Sequence, residues 1–232
     1  MKNKDLIKVV KSSFHKYLEK GPRSTEKLKV LHGKIAEDIQ SRLDNGYSVH
    51  SLGFKDGKEI PMKGIYYDKK VDIVIKKEDE VLAGIGVKFI MSNYSQNSNN
   101  YFENLLGETA NIRISGKPYY QILILRSKSP YFNSDGILSK YELLSEHNLK
   151  KYLELSKDDI NKHKHVPNKM LLFIVDISDN PDIGTTKTDY KEYYEKRVFD
   201  FSMNKNKYEF GKTFIHNDYD KFITEILDEI KK

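Results

Sequence analysis

Two stretches that alternate in side-chain character, separated by a short charged turn, set the tightest limit on how this chain folds. Val71, Ile73 and Ile75 alternate with Asp72 and Val74, and Ala83, Ile85, Val87 and Phe89 alternate with Gly84, Gly86 and Lys88. A period of two sends successive side chains to opposite faces of a strand, so each stretch reads as one arm of a hairpin with an apolar face. A turn centred on residues 77–80 fixes the register. Asp72 then falls about opposite Gly86, with Lys88 two residues further along the same face. An acid and a base come together on the side of the hairpin away from the core.

The remaining segments supply layers for this hairpin. Residues 5–20 read as a basic amphipathic helix ended by Gly21 and Pro22. A second helix follows, capped by Ser24 or Thr25, with Leu28, Leu31, Ile35, Ile39 and Leu43 at spacings of three and four, and stopped by Asn45 and Gly46. Residues 47–54 read as a first strand and 55–57 as a turn. After the hairpin, a polar crossing leads to a helix over 100–113. The runs YYQILILR and KMLLFIVDI have the continuous apolar character of strands buried on both faces. Residues 137–155 read as helix, 156–167 as a charged connector, 178–191 as a long loop and 218–232 as a last amphipathic helix. The expected class is α/β, a central mixed sheet flanked by helices. At 232 residues and 38% apolar the chain suits one domain, with a core over about 24–177 and helical extensions at both ends.

Charge and cysteine content narrow the function classes. Forty Lys and Arg against 34 Asp and Glu leave +6, which suits a polyanionic partner or simply a basic surface. The absence of cysteine excludes disulfides, zinc knuckles and a thiol nucleophile. No run approaches the roughly 18 to 20 apolar residues of a membrane span, and the first residues do not form a signal peptide, so a cytoplasmic protein without a membrane partner is expected. His163 and His165 lack a third ligand nearby in sequence and read as part of a solvated connector.

The order helix, three-strand meander, helix, strand, with an acid on the second strand and a lysine near the end of the third, resembles the PD-(D/E)XK nuclease superfamily, which includes most type II restriction endonucleases. The stretch NYSQNSNNYFENLLGETANIR also resembles a restriction-enzyme segment. The resemblance spans roughly 28–177 and its motif is short and degenerate. It implies a restriction-endonuclease-like core, Mg2+-dependent and sequence-specific cleavage of double-stranded DNA, and a homodimer whose two-fold axis matches a palindromic site. Asp72 would be the first acid of the motif and Lys88 its lysine.

Gly86 departs from that pattern, because the family usually carries Asp or Glu two residues before the lysine. In one explanation the carboxylate is lost, naturally or by replacement, and the chain binds DNA without cutting. In the other it has moved to the following helix, where Glu103 is the first candidate and Glu108 the second. Five residues apart, these two point about 140° away from each other. The implied Mg2+ shell is Asp72, Glu103 and the main-chain carbonyl of Val87, with Glu37 on the second helix a candidate for a further ion although it lies nearly opposite the apolar stripe. Lys88 would orient water and stabilise developing charge. Asn93, Gln96, Asn97 and Asn100 are expected to face DNA, with Asn104 on the polar stripe of the helix. Lys117, Arg113 and Arg126 are expected at phosphates. A noncatalytic nucleic-acid- or protein-binding module, with Asp72 and Lys88 an ordinary cross-strand ion pair, is the alternative from another class.

Overall fold

The computed structural model describes every residue except Pro22, Arg23, Asp56 and Val198. Helices α1 (Asn3–Lys20) and α2 (Glu26–Ser41) lead into β1 (Tyr47–Ser51). A short ladder of β2 (Pro61–Met62) and β3 (Lys69–Lys70) precedes the hairpin β4 (Ile73–Lys77) and β5 (Glu80–Ile90). Then follow α3 (Tyr94–Ile114), β6 (Tyr119–Arg126), β7 (Lys128–Phe132), β8 (Leu138–Leu143), α4 (Glu146–Leu155) and β9 (Lys169–Ile177). The chain ends with α5 (Lys187–Glu195), β10 (Phe201–Met203), β11 (Phe214–His216) and α6 (Tyr219–Ile230).

The hairpin forms as its alternation requires. Ile73 pairs with Ile85 and Ile75 with Ala83, and one further step of that register sets Asp72 beside Gly86. The two-residue turn places Glu78 in the left-handed region, φ 52°, as tight hairpin turns demand. Around it the sheet runs β1, β4, β5, β6, β9, β10, with β11 also on β9. The pairs β5–β6 and β6–β9 are parallel, while β1–β4 and β4–β5 are antiparallel. Consequently the amino end of β4 lies across from the middle of β5 and level with the amino ends of β6 and β9, since Ile73 faces Ile85, Ile85 faces Tyr120 and Tyr120 faces Lys169. Every residue of β6 is buried, which suits its unbroken apolar sequence.

Helices cover both faces. On one, α1, α2, α5 and α6 pack Phe14, Ile35, Tyr194 and Phe222 against Ile73, Ile85, Ile122 and Phe173. On the other, α3 and α4 pack Leu105 and Tyr152 against Leu123 and Leu172. The face of the hairpin that carries Val74 is covered too, by Met62, Val71, Ile112 and Tyr119. The side of Asp72 and Lys88 is therefore a roofed edge rather than an open surface, because Gly84 and Gly86 have no side chains to hold the roof away. A Cβ on Gly84 would meet the Met62 sulfur at 2.3 Å. The terminal helices expected as extensions are built into the main core, with Leu6 and Ile226 both fully buried.

Several local expectations change. Helix α3 starts at Tyr94, not at 100, because the buried Tyr94 ring anchors its first turn after Asn93 takes a left-handed backbone. Residues 137–155 are not one helix. Leu138–Leu143 pairs antiparallel with Lys128–Phe132, and only Glu146–Leu155 is helical, started by the Ser145 capping box. The loop expected over 178–191 ends in α5, capped by Thr186. The first strand stops at Ser51; the expected turn over 55–57 and the Gly21–Pro22 helix stop each include a residue outside the described ones, Asp56 and Pro22, although Gly21 itself caps α1.

Helix α2 lies unusually close to the chain after β1. A Cβ on Gly33 would sit 2.4 Å from the Gly53 carbonyl oxygen, a backbone atom that has nowhere to go. Gly33→Ala is expected to lower unfolding free energy by about 1 to 3 kcal/mol. Gly107→Ala, on a helical position with nothing within 4 Å, is expected to raise it by about 0.5 to 1 kcal/mol. Urea unfolding of the two variants beside the parent measures both.

Candidate active site

Asp72 is fixed from three directions. Its Oδ2 accepts the Val87 N–H at 2.7 Å, its carbonyl oxygen accepts the Ser51 hydroxyl at 2.7 Å, and its Oδ1 lies 3.9 Å from His32 Nδ1. The first of these bonds ties the amino end of β4 to the carboxyl half of β5. His32 comes from α2, delivered inward by the close packing at Gly33. It is buried, burial holds its imidazole neutral, and neither ring nitrogen has a hydrogen-bond partner. The contact to Asp72 is therefore a long approach of a neutral ring, not an ion pair. A buried polar group left so costs about 1 to 3 kcal/mol, which calls for a ligand at that position.

Glu59 completes the cluster. Its carboxyl is pushed up by burial and by the Asp72 charge, with Lys70 and Lys69 opposing. His32, Glu59 and Asp72 each offer a ligand atom, all within 4.8 Å of one another. Two apposed carboxylates and an unpartnered neutral imidazole suit a divalent cation. The oxygens suit Mg2+, and the nitrogen extends the fit to Mn2+.

Beside this cluster, Lys88 Nζ stands 3.6 Å from Glu108 Oε1 and Lys69 Nζ 3.1 Å from the same oxygen. Burial and the charges of Glu108 and Asp72 together push the Tyr119 phenol far up, so both carboxylates bear on that hydroxyl. Asn111 secures the segment that carries Lys69: it accepts the Tyr66 N–H at 3.0 Å and donates to the Tyr67 carbonyl at 2.9 Å.

Of the two acids weighed on α3, the one brought to Lys88 is Glu108. Glu103 is exposed and its charge acts on Lys151 of α4, on the far side of the helix. A similar rotation separates His32 from Glu37, which is exposed and paired with Lys34 at 2.5 Å. Glu37 and Glu103 are thus not gathered with Asp72 and Lys88, since each lies five residues, about 140°, from the inward side chain on its helix. Position 86 is filled by its neighbours. A Cβ there would meet Gln121 Oε1 at 2.7 Å and the Tyr119 hydroxyl at 2.8 Å.

The expected DNA contacts divide. Gln96, Asn97, Asn100 and Asn104 are exposed on α3, with Gln96 donating to the Tyr131 hydroxyl at 2.7 Å, and Asn93 is half-buried at its start. Lys117 pairs with Glu80 at 2.9 Å, at the amino ends of β5 and β6. Arg113 is buried and donates to the carbonyls of Ile160, His163 and Val166, which ties down the connector instead of meeting phosphate. Arg126 is buried against Asp179 at 2.7 Å. His163 and His165 have ring centroids 5.5 Å apart on the surface. His32 was missed in the sequence, yet it lies four after Leu28 and three before Ile35, on the buried stripe of α2. Glu59 sits in an irregular segment and has no such signal.

Two outcomes follow from this geometry. Gly86→Glu should cost about 1 to 3 kcal/mol by overpacking against Gln121 and Tyr119, read by urea unfolding; an unchanged stability would mean position 86 is a vacated site. Because the folded state holds His32 below its ordinary value of 6.5, the unfolded chain binds more protons, so stability present above about pH 6.5 falls as pH drops. His216 is depressed by burial in the same sense. The share from His32 is the difference between the stability–pH curves of the parent and His32→Gln, and coincident curves would remove it. No protein-family model, curated protein or solved structure matches this chain.

Proposed function

We propose that the protein hydrolyses phosphodiester bonds of double-stranded DNA with a divalent cation, as a type II restriction endonuclease with a restriction-endonuclease-like core. The observation that carries this is the convergence of Asp72, Glu59 and the unpartnered His32 within 4.8 Å, on the strand pair that also bears Lys88. The net charge of +6 and the amide-rich start of α3 suit a polyanionic duplex. Homodimerisation would let two such sites address two strands.

Asp72, Glu59 and His32 would hold the cation, Mg2+ or Mn2+, with the Val87 carbonyl as a further candidate ligand. When bound, that ion polarises a phosphate oxygen and acidifies a water. Asp72 keeps a fixed orientation through the Val87 N–H, so its free oxygen needs no reorganisation. The Lys88 ammonium offsets negative charge growing on the phosphate and orients the attacking water. Glu108 holds the Lys88 and Lys69 ammoniums in place. The leaving 3′ oxygen takes its proton from solvent.

Incubation of plasmid and phage DNA with Mg2+, with Mn2+ and with EDTA tests this. Discrete fragments are expected with cation only. Asp72→Asn and Glu108→Gln should lower the rate by on the order of 100-fold or more, while Glu103→Gln leaves it unchanged. His32→Asn should weaken Mn2+ binding by roughly 10- to 100-fold, measured by electron paramagnetic resonance of the free ion. Salt-dependent duplex binding without cutting would instead make the chain a silent relative, and neither binding nor cutting would favour a module of another class.

A further inference from the structure

Exposed large apolar side chains are not scattered evenly over this molecule. Ile65, Tyr66 and Tyr67 are consecutive, and Ile114 precedes Ser115, whose hydroxyl donates to the Lys63 carbonyl at 2.8 Å. Single exposed apolar residues need no explanation, but a local group of them marks a surface that meets something.

The first three form the tip of a small hairpin whose base is the cation cluster. Pro61 pairs with Lys70 and Met62 with Lys69, and two further steps of that register set Glu59 opposite Asp72. The closeness of their ligand atoms agrees with that register. Met62 and Val71 bury the arms against Ile112 and Tyr119. The tip itself is clamped on α3. The Ile65 N–H donates to the Asn111 main-chain carbonyl at 2.9 Å and the Tyr66 N–H to the Asn111 side-chain oxygen at 3.0 Å, while the Asn111 amide donates to the Tyr67 carbonyl at 2.9 Å. Gly64 permits this approach, since a Cβ there would run into that amide and that carbonyl. A buried residue thus fixes the backbone, yet Tyr66 is 80% and Tyr67 58% exposed. A loop ordered in advance loses little more freedom when a partner covers its rings.

The flanking charges identify the partner. Between Ile60 and Val71 the chain carries Lys63, Lys69 and Lys70 against Asp68 alone. Lys69 is held by Glu108, whereas Lys63 and Lys70 are exposed. Aromatic faces set between lysines complement a polymer that joins phosphates to planar bases. The position fits as well. Asn111 lies one helical turn, about 5 to 6 Å between Cβ atoms, from Glu108, the partner of Lys88. Tyr67 is separated from Asp72 by at most about 18 Å of chain, the length of about five nucleotides.

We infer that this tip is a DNA wedge: Tyr66 and Tyr67 lie against bases within about five nucleotides of the bond that is cut, and Lys63 and Lys70 meet the phosphates beside them. The inference rests on the DNA-cleaving function proposed above. It adds an anchor that neither the cation nor Lys88 supplies.

Binding of the full-length protein to short random-sequence duplexes is measured by fluorescence anisotropy over a range of salt, with Ca2+ in place of Mg2+. Tyr66→Ala with Tyr67→Ala should weaken binding by about tenfold or more at every salt concentration and leave the salt dependence unchanged. Lys63→Ala with Lys70→Ala should make the slope of log K against log salt shallower by about two. Tyr66→Trp gives a chain without tryptophan its single one, and its emission should be quenched as the duplex saturates the protein. Circular dichroism checks the folding of each variant, and Tyr66→Trp decides if the alanine pair does not fold. Equal affinity of the parent and the tyrosine pair, or unquenched emission in the bound Tyr66→Trp protein, overturns the inference even if DNA is cut. A parent that binds no duplex overturns it together with the DNA-directed function. Loss of a parent dimer in the tyrosine pair, seen by light scattering, overturns it in favour of a surface for a second copy. Binding that depends on the tip, with no cleavage in Mg2+ or Mn2+, upholds the wedge and removes the nuclease function alone.

Discussion

The hydrogen bond from the Val87 N–H to Asp72 organises the site, because it is the point at which the hairpin hands its regular geometry to an irregular edge. One step beyond the last paired residues of β4, a backbone donor would otherwise face the end of the ladder. The Asp72 carboxylate takes it and is thereby held with its second oxygen toward α2. Ser51 holds the main chain of the same residue from the neighbouring strand. Three strands thus converge on one acid, and the side chains that matter chemically are positioned by backbone rather than by other flexible side chains.

Close approach is the second constraint. Gly33 and Gly53 let α2 reach the end of β1, and Gly84 and Gly86 let Met62, Tyr119 and Gln121 sit directly on the hairpin. A side chain at position 86 would press on the ends of the Gln121 and Tyr119 side chains. Above the same face α3 supplies Glu108, which pairs with Lys88 and Lys69.

Much of this was legible in the sequence where a strict period governed it. The β4–β5 register and the facing of Asp72 toward Gly86 follow from alternation across a two-residue turn, and β6 and β9 follow from unbroken apolar runs. Glu108 was legible in the same way, since it lies three after Leu105 and four before Ile112, on the buried stripe of α3; weight given to Tyr101 and Phe102 turned attention to Glu103 instead. His32 on the stripe of α2 is the parallel case. What period could not reveal was Glu59, whose position depends on an irregular path, and β8, whose residues read equally well as helix until the distant partner β7 is known. Arg113 and Arg126 looked like surface cations because charge type does not report burial; each is instead neutralised or satisfied inside, by carbonyls in one case and Asp179 in the other.

The arrangement of strands ties these local facts together. Antiparallel β4 begins across from the middle of β5 and level with the starts of parallel β6 and β9, so Asp72 sits level with Gly86 and Gln121, whereas Arg126 and Asp179 stand at the carboxyl ends of β6 and β9 and Arg126 points to the face opposite Lys88. Strand ends in a mixed sheet are where backbone groups and side chains are freed from the ladder while still held by it. The two clusters differ in what their burial demands. At Asp72 and Glu59, neighbouring negative charges call for a cation. At Arg126 the charge is already balanced by Asp179 inside the core.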